Sequence, residues 1–232
     1  MNNPFDFFDA VYCLNLKDRN DRWEACLKMA DEYGISLNRV EGLLVANKEI
    51  PSKRRGQIGC AFSFANKFFD ILVNSVHNKV LFFEDDFSFD LKKEDLNTEL
   101  NKCLQELPKD WDLFFLGCNL TGEHGINPVV SWQSENLLKV NSAHCLHAVA
   151  FSRKGLGKIW DFFNYNFNWQ YDLINNYEAI DIFFAKEYLR RNKCFMPRKS
   201  LLCFQRPDFS NIENAHYDYN EWMIDNFNKY KV

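Results

Sequence analysis

The pattern of apolar and polar positions is most informative at residues 79–90, where a short apolar run ends abruptly in three acids. Residues 80–83 are Val-Leu-Phe-Phe, and Glu84, Asp85 and Asp86 follow directly. A continuous apolar run of this length predicts a strand that is covered on both faces of a sheet. Acids at the carboxyl end of such a strand lie where open α/β sheets bind their ligands. The segment therefore predicts a ligand site at a strand end.

Strand-like and helix-like segments alternate along the rest of the chain. Strands are predicted where short apolar runs lie between turn residues, and helices where apolar residues recur every three or four positions. The predicted strands cover residues 10–16, 40–45, 80–83, 111–117, 137–140, 147–152, 194–197 and 201–205. The predicted helices begin near residue 23 and then cover residues 61–72, 91–107, 154–164 and 177–189.

This alternation predicts an α/β fold, Rossmann-like, with a mostly parallel central sheet flanked by helices. Residues 48–55 are predicted to be a charged loop. No internal repeat or change of composition divides the chain, so we expect one domain over residues 1–232. The polar tail, residues 206–232, carries spaced aromatic residues. We expect it to wrap the domain or to contact a partner.

Composition and charge narrow the class of protein. The chain has 232 residues, 47% of them hydrophobic, which is enough for a sizeable core. Its net charge is −4 without a basic block, which argues against general nucleic-acid binding. The eight cysteines are irregularly spaced, which predicts free thiols and a reducing, cytoplasmic compartment. The first residues do not resemble a signal peptide, and no apolar run approaches the ~20 residues of a membrane span.

The acidic triplet and the first charged turn are the candidate chemistry. Three adjacent carboxylates repel one another unless something positive lies beside them. Hard oxygen ligands at a strand end suit Mg²⁺ or Mn²⁺ held together with substrate phosphates, although a solvated acidic turn is the alternative. After the first strand, Arg19 and Arg22 can reach a phosphate or a base. The alternative for these arginines is an ordinary solvated helix start.

Six segments together resemble glycosyltransferase family 25, the lipopolysaccharide and procollagen galactosyltransferase type. The family patterns include Asn-Leu-x-x-Arg-x-x-Arg, Gly-x-x-Gly-Cys-x-x-Ser-His, Glu-Asp-Asp at a strand end and Trp-Asp-x-x-x-Leu-Gly. The matching segments are, in chain order, 15–22, 56–64, 81–86, 111–117, Asp181 within a helix, and 205–212. Two positions depart from the patterns, because Phe64 replaces a histidine and Asn211 replaces an aspartate. These departures bear on the donor sugar and the acceptor.

The resemblance implies a GT-A fold and an enzyme that moves a hexose from a UDP-sugar to a hydroxyl of a glycan or glycoprotein acceptor. It implies Mn²⁺, or Mg²⁺, and inversion at the anomeric carbon. No nucleic acid is expected as a partner, while peripheral contact with a membrane stays open. The positions that it assigns to donor binding are Asn15, Leu16, Arg19, Arg22, Gly59, Ser63, Glu84, Asp85, Gln205 and Ser210.

Metal and catalytic roles follow from the same resemblance. Asp86 is the main expected metal ligand, with Asp85 in support and His216 as a further ligand, although an ordinary surface histidine is the alternative for His216. Asp181 is the candidate general base of an inverting transfer, and Glu178 is the spare. The alternative for Asp181 is an acid that complements the dipole at a helix start.

Two other functions compete with this interpretation. A metal-dependent nucleotidyltransferase would use a similar acidic strand but would need a glycine-rich basic loop after the first strand, and residues 17–22 contain no glycine. A non-catalytic module that binds nucleotide sugars, glycans or a partner would tolerate loss of the acids, and here the acids are present.

Overall fold

The computed structural model describes residues 3–165, 179–210 and 215–231. The strands are β1 (Ala10–Leu16), β2 (Leu37–Gly42), β3 (Lys79–Glu84), β4 (Phe87–Ser88), β5 (Leu113–Leu120), β6 (Val130–Trp132), β7 (Leu137–Val140), β8 (Ala143–Ser152), β9 (Cys194–Pro197), β10 (Phe204–Gln205), β11 (Asp208–Ser210) and β12 (Ala215–Tyr217). The α-helices are α1 (Asn20–Tyr33), α2 (Ser52–Asn74), α3 (Lys93–Glu106), α4 (Arg153–Tyr165), α5 (Ile180–Phe183) and α6 (Asn220–Tyr230).

The central sheet of the described residues has eight strands in the order β2-β1-β3-β8-β5-β9-β7-β6. β1 pairs in parallel with β2 and β3, and β5 pairs in parallel with β9. β8 runs antiparallel between β3 and β5, and β7 runs antiparallel between β9 and β6. Within this sheet, all strands except β7 and β8 therefore run in one direction. The predicted fold class, α/β with a mostly parallel sheet flanked by helices, is confirmed.

Both faces of the sheet are covered, and β3 shows how its sequence serves both. Successive strand residues point to opposite faces. Phe82 lies in the core layer that contains the buried residues of α2 and α4, and its ring centroid is 5.6 Å from that of Phe64. Leu81 and Phe83 lie in the other layer, with α1 and α3. The apolar run at 80–83 thus buries alternate side chains in two cores and leaves the acids at its open end.

Two boundaries near the carboxyl end of β2 differ from the predicted ones. β2 ends at Gly42 instead of continuing to residue 45, because the Leu43 N–H donates to Ser63 Oγ at 2.8 Å and the chain leaves the ladder. α2 begins at Ser52, inside the predicted loop 48–55. Lysine and arginine are good helix formers, so the basic residues after Ser52 extend the helix.

The late part of the chain also differs. The helix predicted over 177–189 is, in its described part, the short α5 followed by a π-helical turn at Phe184–Tyr188 and a 3₁₀ turn at Leu189–Arg191. Within the predicted tail, α6 was not expected as a helix. Met223 and Phe227 lie one turn apart on α6, and both are buried in the core. Part of the tail is therefore a helix that buries one face, formed by Met223 and Phe227, in the core.

Candidate functional site

A cleft of about 850 Å³ opens at the carboxyl ends of β1, β2 and β3. The start of α2, the first residues of β8 and the beginning of α5 complete its walls. The predicted site residues that line it are Asn15, Leu16, Arg22, Ser63, Glu84, Asp85, Asp86, Asp181 and Gln205. The acidic end of β3 therefore lies in a cleft.

Asp85 is held by partners on both of its carboxylate oxygens. Arg22 Nη1 donates to Oδ1 at 2.6 Å, and Asn15 Nδ2 donates to Oδ2 at 2.6 Å. Asn15 Nδ2 also donates to the carbonyl of Arg19 at 3.1 Å, while Arg22 Nε donates to Asp208 Oδ2 at 3.0 Å. A buried charge is tolerated when it is paired and hydrogen-bonded in this way. Asp85 thereby fixes the orientation of Asn15 and Arg22 at the cleft.

Asp86 is much less completely paired. Its Oδ1 is buried and has no hydrogen-bond partner among the described residues. Its Oδ2 lies 3.5 Å from Gln205 Nε2 and 3.8 Å from Arg22 Nη1. Burial, followed by the charge of Asp85, raises the pKa of Asp86 to about 6. Burial therefore opposes the ionisation of Asp86, and one of its oxygens is left without a hydrogen-bond partner among the described residues.

Glu84 is the second acid of the triplet whose ionisation is opposed. Burial is the largest cause that raises the pKa of Glu84 well above its usual range, and the charges of Asp86, Asp181 and Asp85 add to it. A cation beside Glu84 and Asp86 would favour the ionised forms of these two acids. The end of the acidic strand therefore favours a positive ligand.

Asp181, at the start of α5, also lines the cleft and is fixed by backbone donors. Its Oδ2 accepts from the Cys145 N–H at 3.0 Å, and its Oδ1 accepts from the Ile182 N–H at 3.0 Å. Cys145 has a φ of 69°, a left-handed conformation that is uncommon for a residue other than glycine. Such strain often accompanies functional sites. Here the residue with the unusual conformation, Cys145, is also the one whose N–H holds Asp181.

Three buried oxygen acceptors of the cleft lack a donor among the described residues: Asn15 Oδ1, Asp86 Oδ1 and Gln205 Oε1. Asn15 is only 1% exposed and Gln205 8% exposed. Unsatisfied buried polar atoms are rare in native proteins and call for a water, an ion or a ligand. Carboxylate and amide oxygens are also ligands that bind Mg²⁺ and Mn²⁺.

The residues that the structure describes contain no cluster of three or more His, Cys, Asp or Glu side chains placed to hold a metal. This finding does not conflict with a cation that one or two carboxylates bind together with substrate phosphates, which is the usual arrangement for Mg²⁺. The unpartnered oxygen of Asp86 and the amide oxygens beside it fit such a cation.

A basic wall, defined here as Lys48, Lys53 and Arg55, also lines the cleft. The first turn of α2 contains no acidic residue. We predicted only a charged loop there and assigned these residues no role. The sequence does show an excess of basic over acidic residues at 48–55. The pattern of apolar and polar positions, however, does not reveal that this segment lies in the same cleft as the acids at residues 84–86.

The other predicted site residues lie away from the cleft or outside the described chain. Gly59 packs α2 against the loop after β2, where an added Cβ would lie 2.2 Å from the carbonyl oxygen of Leu43. Arg19 pairs with Asp21 at 2.8 Å. His216 is exposed on β12 and is not among the described residues that line the cleft. Ser210 ends β11, and Glu178 lies outside the described residues.

Hydrogen bonds within the fold explain the position of Ser63. Its Oγ donates to the Gly59 carbonyl at 2.6 Å and accepts from the Leu43 N–H at 2.8 Å. The contact with Leu43 fastens the loop of residues 43–46 to α2, whereas the contact with Gly59 lies within the helix, and that loop forms one side of the cleft. Gly59, one turn earlier on α2, allows the close approach of this loop, because an added Cβ would meet the Leu43 carbonyl.

Comparison with known proteins shows distant sequence similarity to a galactosyltransferase. No family model matches the chain. Procollagen galactosyltransferase 1-A from Xenopus laevis is 31% identical over 131 residues, an alignment that covers 47% of this chain and 21% of that protein. The chain thus spans about a fifth of the length of this curated relative. The predicted resemblance is matched by sequence similarity over about half of the chain.

Solved structures with a similar arrangement are more distant in sequence. A197 from STIV is 11% identical, with a TM-score of 0.43 over 89% of this chain and 91% of that one. A protein described as a glucose-1-phosphate thymidylyltransferase from Bacillus anthracis, in complex with a sucrose, is 14% identical, with a TM-score of 0.42 over 84% of this chain and 69% of that one.

None of the helices in the described part of the chain combines the length and the apolar character that a bilayer crossing requires.

Proposed function

We propose that the cleft binds a nucleotide sugar together with a divalent cation and transfers the sugar to a hydroxyl of a glycan or glycoprotein acceptor. The observation that carries this proposal is a set of three buried oxygens without a hydrogen-bond donor, on Asn15, Asp86 and Gln205, all of which line the cleft. The distant similarity to a procollagen galactosyltransferase supports the same class of reaction. Mn²⁺ and a UDP-sugar are the cation and donor that we expect.

Asp86 and Gln205 would hold the cation, because both residues line the cleft and each has a buried oxygen without a hydrogen-bond partner among the described residues. When bound, the cation would neutralise the charge that develops on the departing diphosphate. Asn15 offers the third open oxygen, either to the cation or to a hydroxyl of the donor. Arg22 and Asp85 keep these groups in place through their ion pair.

The opposite charges of the two walls suit a donor that carries both a cation and a diphosphate. The acids at residues 84–86 attract the cation, whereas Lys48 and Arg55 of the basic wall attract the phosphates. Glu84, at the end of β3, also lines the cleft and can accept hydrogen bonds from sugar or ribose hydroxyls once the cation favours its ionised form.

Asp181 is the general base in this proposal. It lines the cleft beside the start of β8, where it would face the side of the sugar away from the diphosphate. Its carboxylate would take the proton of the acceptor hydroxyl as that oxygen forms the new glycosidic bond and the diphosphate leaves. Each carboxylate oxygen accepts one backbone N–H and retains a second lone pair for this proton.

The test is hydrolysis of nucleotide sugars, which requires no acceptor. The unmodified protein with Mn²⁺ should release the nucleoside diphosphate from one UDP-sugar in preference to others. Once an acceptor is found, Asp181→Asn should lower the transfer rate by roughly 10²–10⁴, the usual size of a lost acid–base contribution. Asp161→Asn, a change of an exposed acid on α4, is the matched control and should transfer normally.

Two results would contradict the proposal. One is the absence of hydrolysis for every nucleotide sugar, together with no binding of UDP and Mn²⁺. The other is release of pyrophosphate from a nucleoside triphosphate and a sugar 1-phosphate, because that reaction defines a nucleotidyltransferase.

A further inference from the structure

Three aromatic side chains of the late segment form a continuous row, which we call the aromatic ladder: Tyr217, Tyr219 and Trp222. The rings of Tyr217 and Tyr219 are stacked, with centroids 5.3 Å apart and planes 3° apart. The centroid of Trp222 lies 6.4 Å from that of Tyr219. Tyr217 is 40% exposed and Trp222 44% exposed, in a chain that buries most of its aromatic residues. The ladder therefore offers ring surface to solvent.

The ladder begins inside the cleft and leads out of it. Tyr217 and Tyr219 both line the cleft, and Trp222 does not. Tyr217 pairs with Asp208 across β11 and β12, and Asp208 in turn contacts Arg22. Trp222 stands on the first turn of α6, whose residues Met223 and Phe227 anchor that helix in the core. A rigid helix thus holds the outer ring, which suits a binding surface better than a flexible loop does.

The charges around the ladder favour a neutral ligand. Residues 217–222 are Tyr-Asp-Tyr-Asn-Glu-Trp, with two acids and no lysine or arginine. Asp218, which lies between the two tyrosines in the sequence, is held by the Asn220 N–H, which donates to its Oδ1 at 3.0 Å. A phosphorylated ligand would be repelled here. Hydroxyl groups would instead find carboxylates and tyrosine oxygens as hydrogen-bond partners.

We infer that the aromatic ladder is the acceptor subsite of the cleft and takes a neutral oligosaccharide of pyranose units. This inference rests on the proposed transfer function, because it treats the cleft as the place of transfer. The faces of aromatic rings carry negative partial charge and attract the polarised C–H groups of a sugar ring. The terminal sugar would lie against Tyr217 and Tyr219 in the cleft. The sugars behind it would extend along Trp222 towards solvent.

A binding experiment without donor tests the ladder directly. The labelled full-length chain is applied to a glycan array, and the strongest neutral oligosaccharide is then titrated by calorimetry. Tyr217→Ala and Trp222→Ala should each weaken its binding by about 3- to 10-fold, the size expected for one aromatic contact. Trp132→Ala removes a more exposed ring, 63% exposed on β6, that does not line the cleft, and should leave the affinity unchanged. Circular dichroism confirms that each variant is folded.

Three outcomes would overturn the inference: no neutral glycan binds, the two ladder variants bind as tightly as the unmodified protein, or a phosphorylated glycan or free UDP proves to be the ligand that the ladder variants lose. Failure of the proposed function would look different. In that case oligosaccharides would bind and depend on the ladder, while no nucleotide sugar would be hydrolysed.

Discussion

The guanidinium of Arg22 and the carboxylate of Asp85 form a buried ion pair, with Nη1 and Oδ1 2.6 Å apart. The two residues come from the first helix and from the end of the acidic strand, 63 positions apart in the chain. Removing one member of such a pair leaves the other charge buried and uncompensated. The pair therefore connects the stability of the fold to the geometry of the cleft.

Arg22→Met should lower the free energy of unfolding by about 3–5 kcal/mol, the usual cost of breaking a buried pair from one side. Arg19→Met is the matched control, because Arg19 pairs with the exposed Asp21. That surface pair should contribute about 1 kcal/mol or less. Urea unfolding at neutral pH measures both variants. Equal losses for Arg19 and Arg22 would show that the pair with Asp85 has no special role.

The raised pKa of Asp86, about 6 against an ordinary 3.8, predicts how stability varies with pH. The folded protein holds the Asp86 proton more tightly than the unfolded chain, so this contribution is complete below about pH 3.8 and is lost as pH rises through about 6. Asp86→Asn cannot ionise. Above pH 6 the variant should therefore gain stability relative to the unmodified protein, on the order of 2 kcal/mol.

Melting curves of both proteins from pH 3.5 to pH 8 test this prediction. The difference in melting temperature should grow as pH rises from 4 to 7. A difference that does not depend on pH, or that grows towards low pH, would mean that burial does not oppose the ionisation of Asp86.

The close contact of Gly59 with the loop after β2 predicts an asymmetry between two helix glycines. Gly59→Ala would place a Cβ 2.2 Å from the Leu43 carbonyl oxygen, whereas a Cβ at Gly157 of α4 would have no neighbour within 4 Å. Gly157→Ala should therefore stabilise the protein by about 0.5–1 kcal/mol, the gain in helix propensity. Gly59→Ala should destabilise it and displace the loop of residues 43–46. Thermal unfolding decides the matter, and stabilisation by both changes would contradict the packing described for Gly59.

The eight cysteines are all free in the structure, as the sequence predicted. Burial raises the pKa of the Cys60 and Cys145 thiols, and the nearby carboxylates add to this effect. The thiolate is the reactive form, so we expect slow alkylation of the native protein at neutral pH. Cys60 and Cys145 line the cleft and should be the first to react. Mass spectrometry after timed alkylation would refute this if Cys13 or Cys118, both fully buried, reacted first.

The elements that could be predicted from the sequence are those with a strong local signal. The run at 80–83 is apolar throughout and ends in charge, so the strand and its acidic end were evident. β9 was predicted with its observed bounds, Cys194–Pro197, because turn-forming and charged residues flank it. α6 was missed, because its buried residues, Met223 and Phe227, stand among polar and exposed aromatic neighbours. The helical period is weak when only two positions of a short helix face the core.

The parts of the site that could not be predicted depend on contacts between distant segments. The sequence grouped Glu84, Asp85 and Asp86, but only the fold distinguishes the paired Asp85 from the open Asp86. The basic wall and the aromatic ladder reach the cleft through the β2–α2 loop and the strand pairing of β11 with β12. Neither connection has a local pattern in the sequence.

The most direct test of the account is the binding of UDP measured by calorimetry, with and without Mn²⁺. We compare the unmodified protein, Asp86→Ala, and the control Asp90→Ala, which changes an exposed acid beyond the cleft. The account predicts that Mn²⁺ strengthens UDP binding by at least about tenfold, or 1.4 kcal/mol, in the unmodified protein and the control, and that Asp86→Ala abolishes this gain. Equal UDP affinity with and without Mn²⁺ in the unmodified protein, or a full Mn²⁺ effect in folded Asp86→Ala, would contradict it.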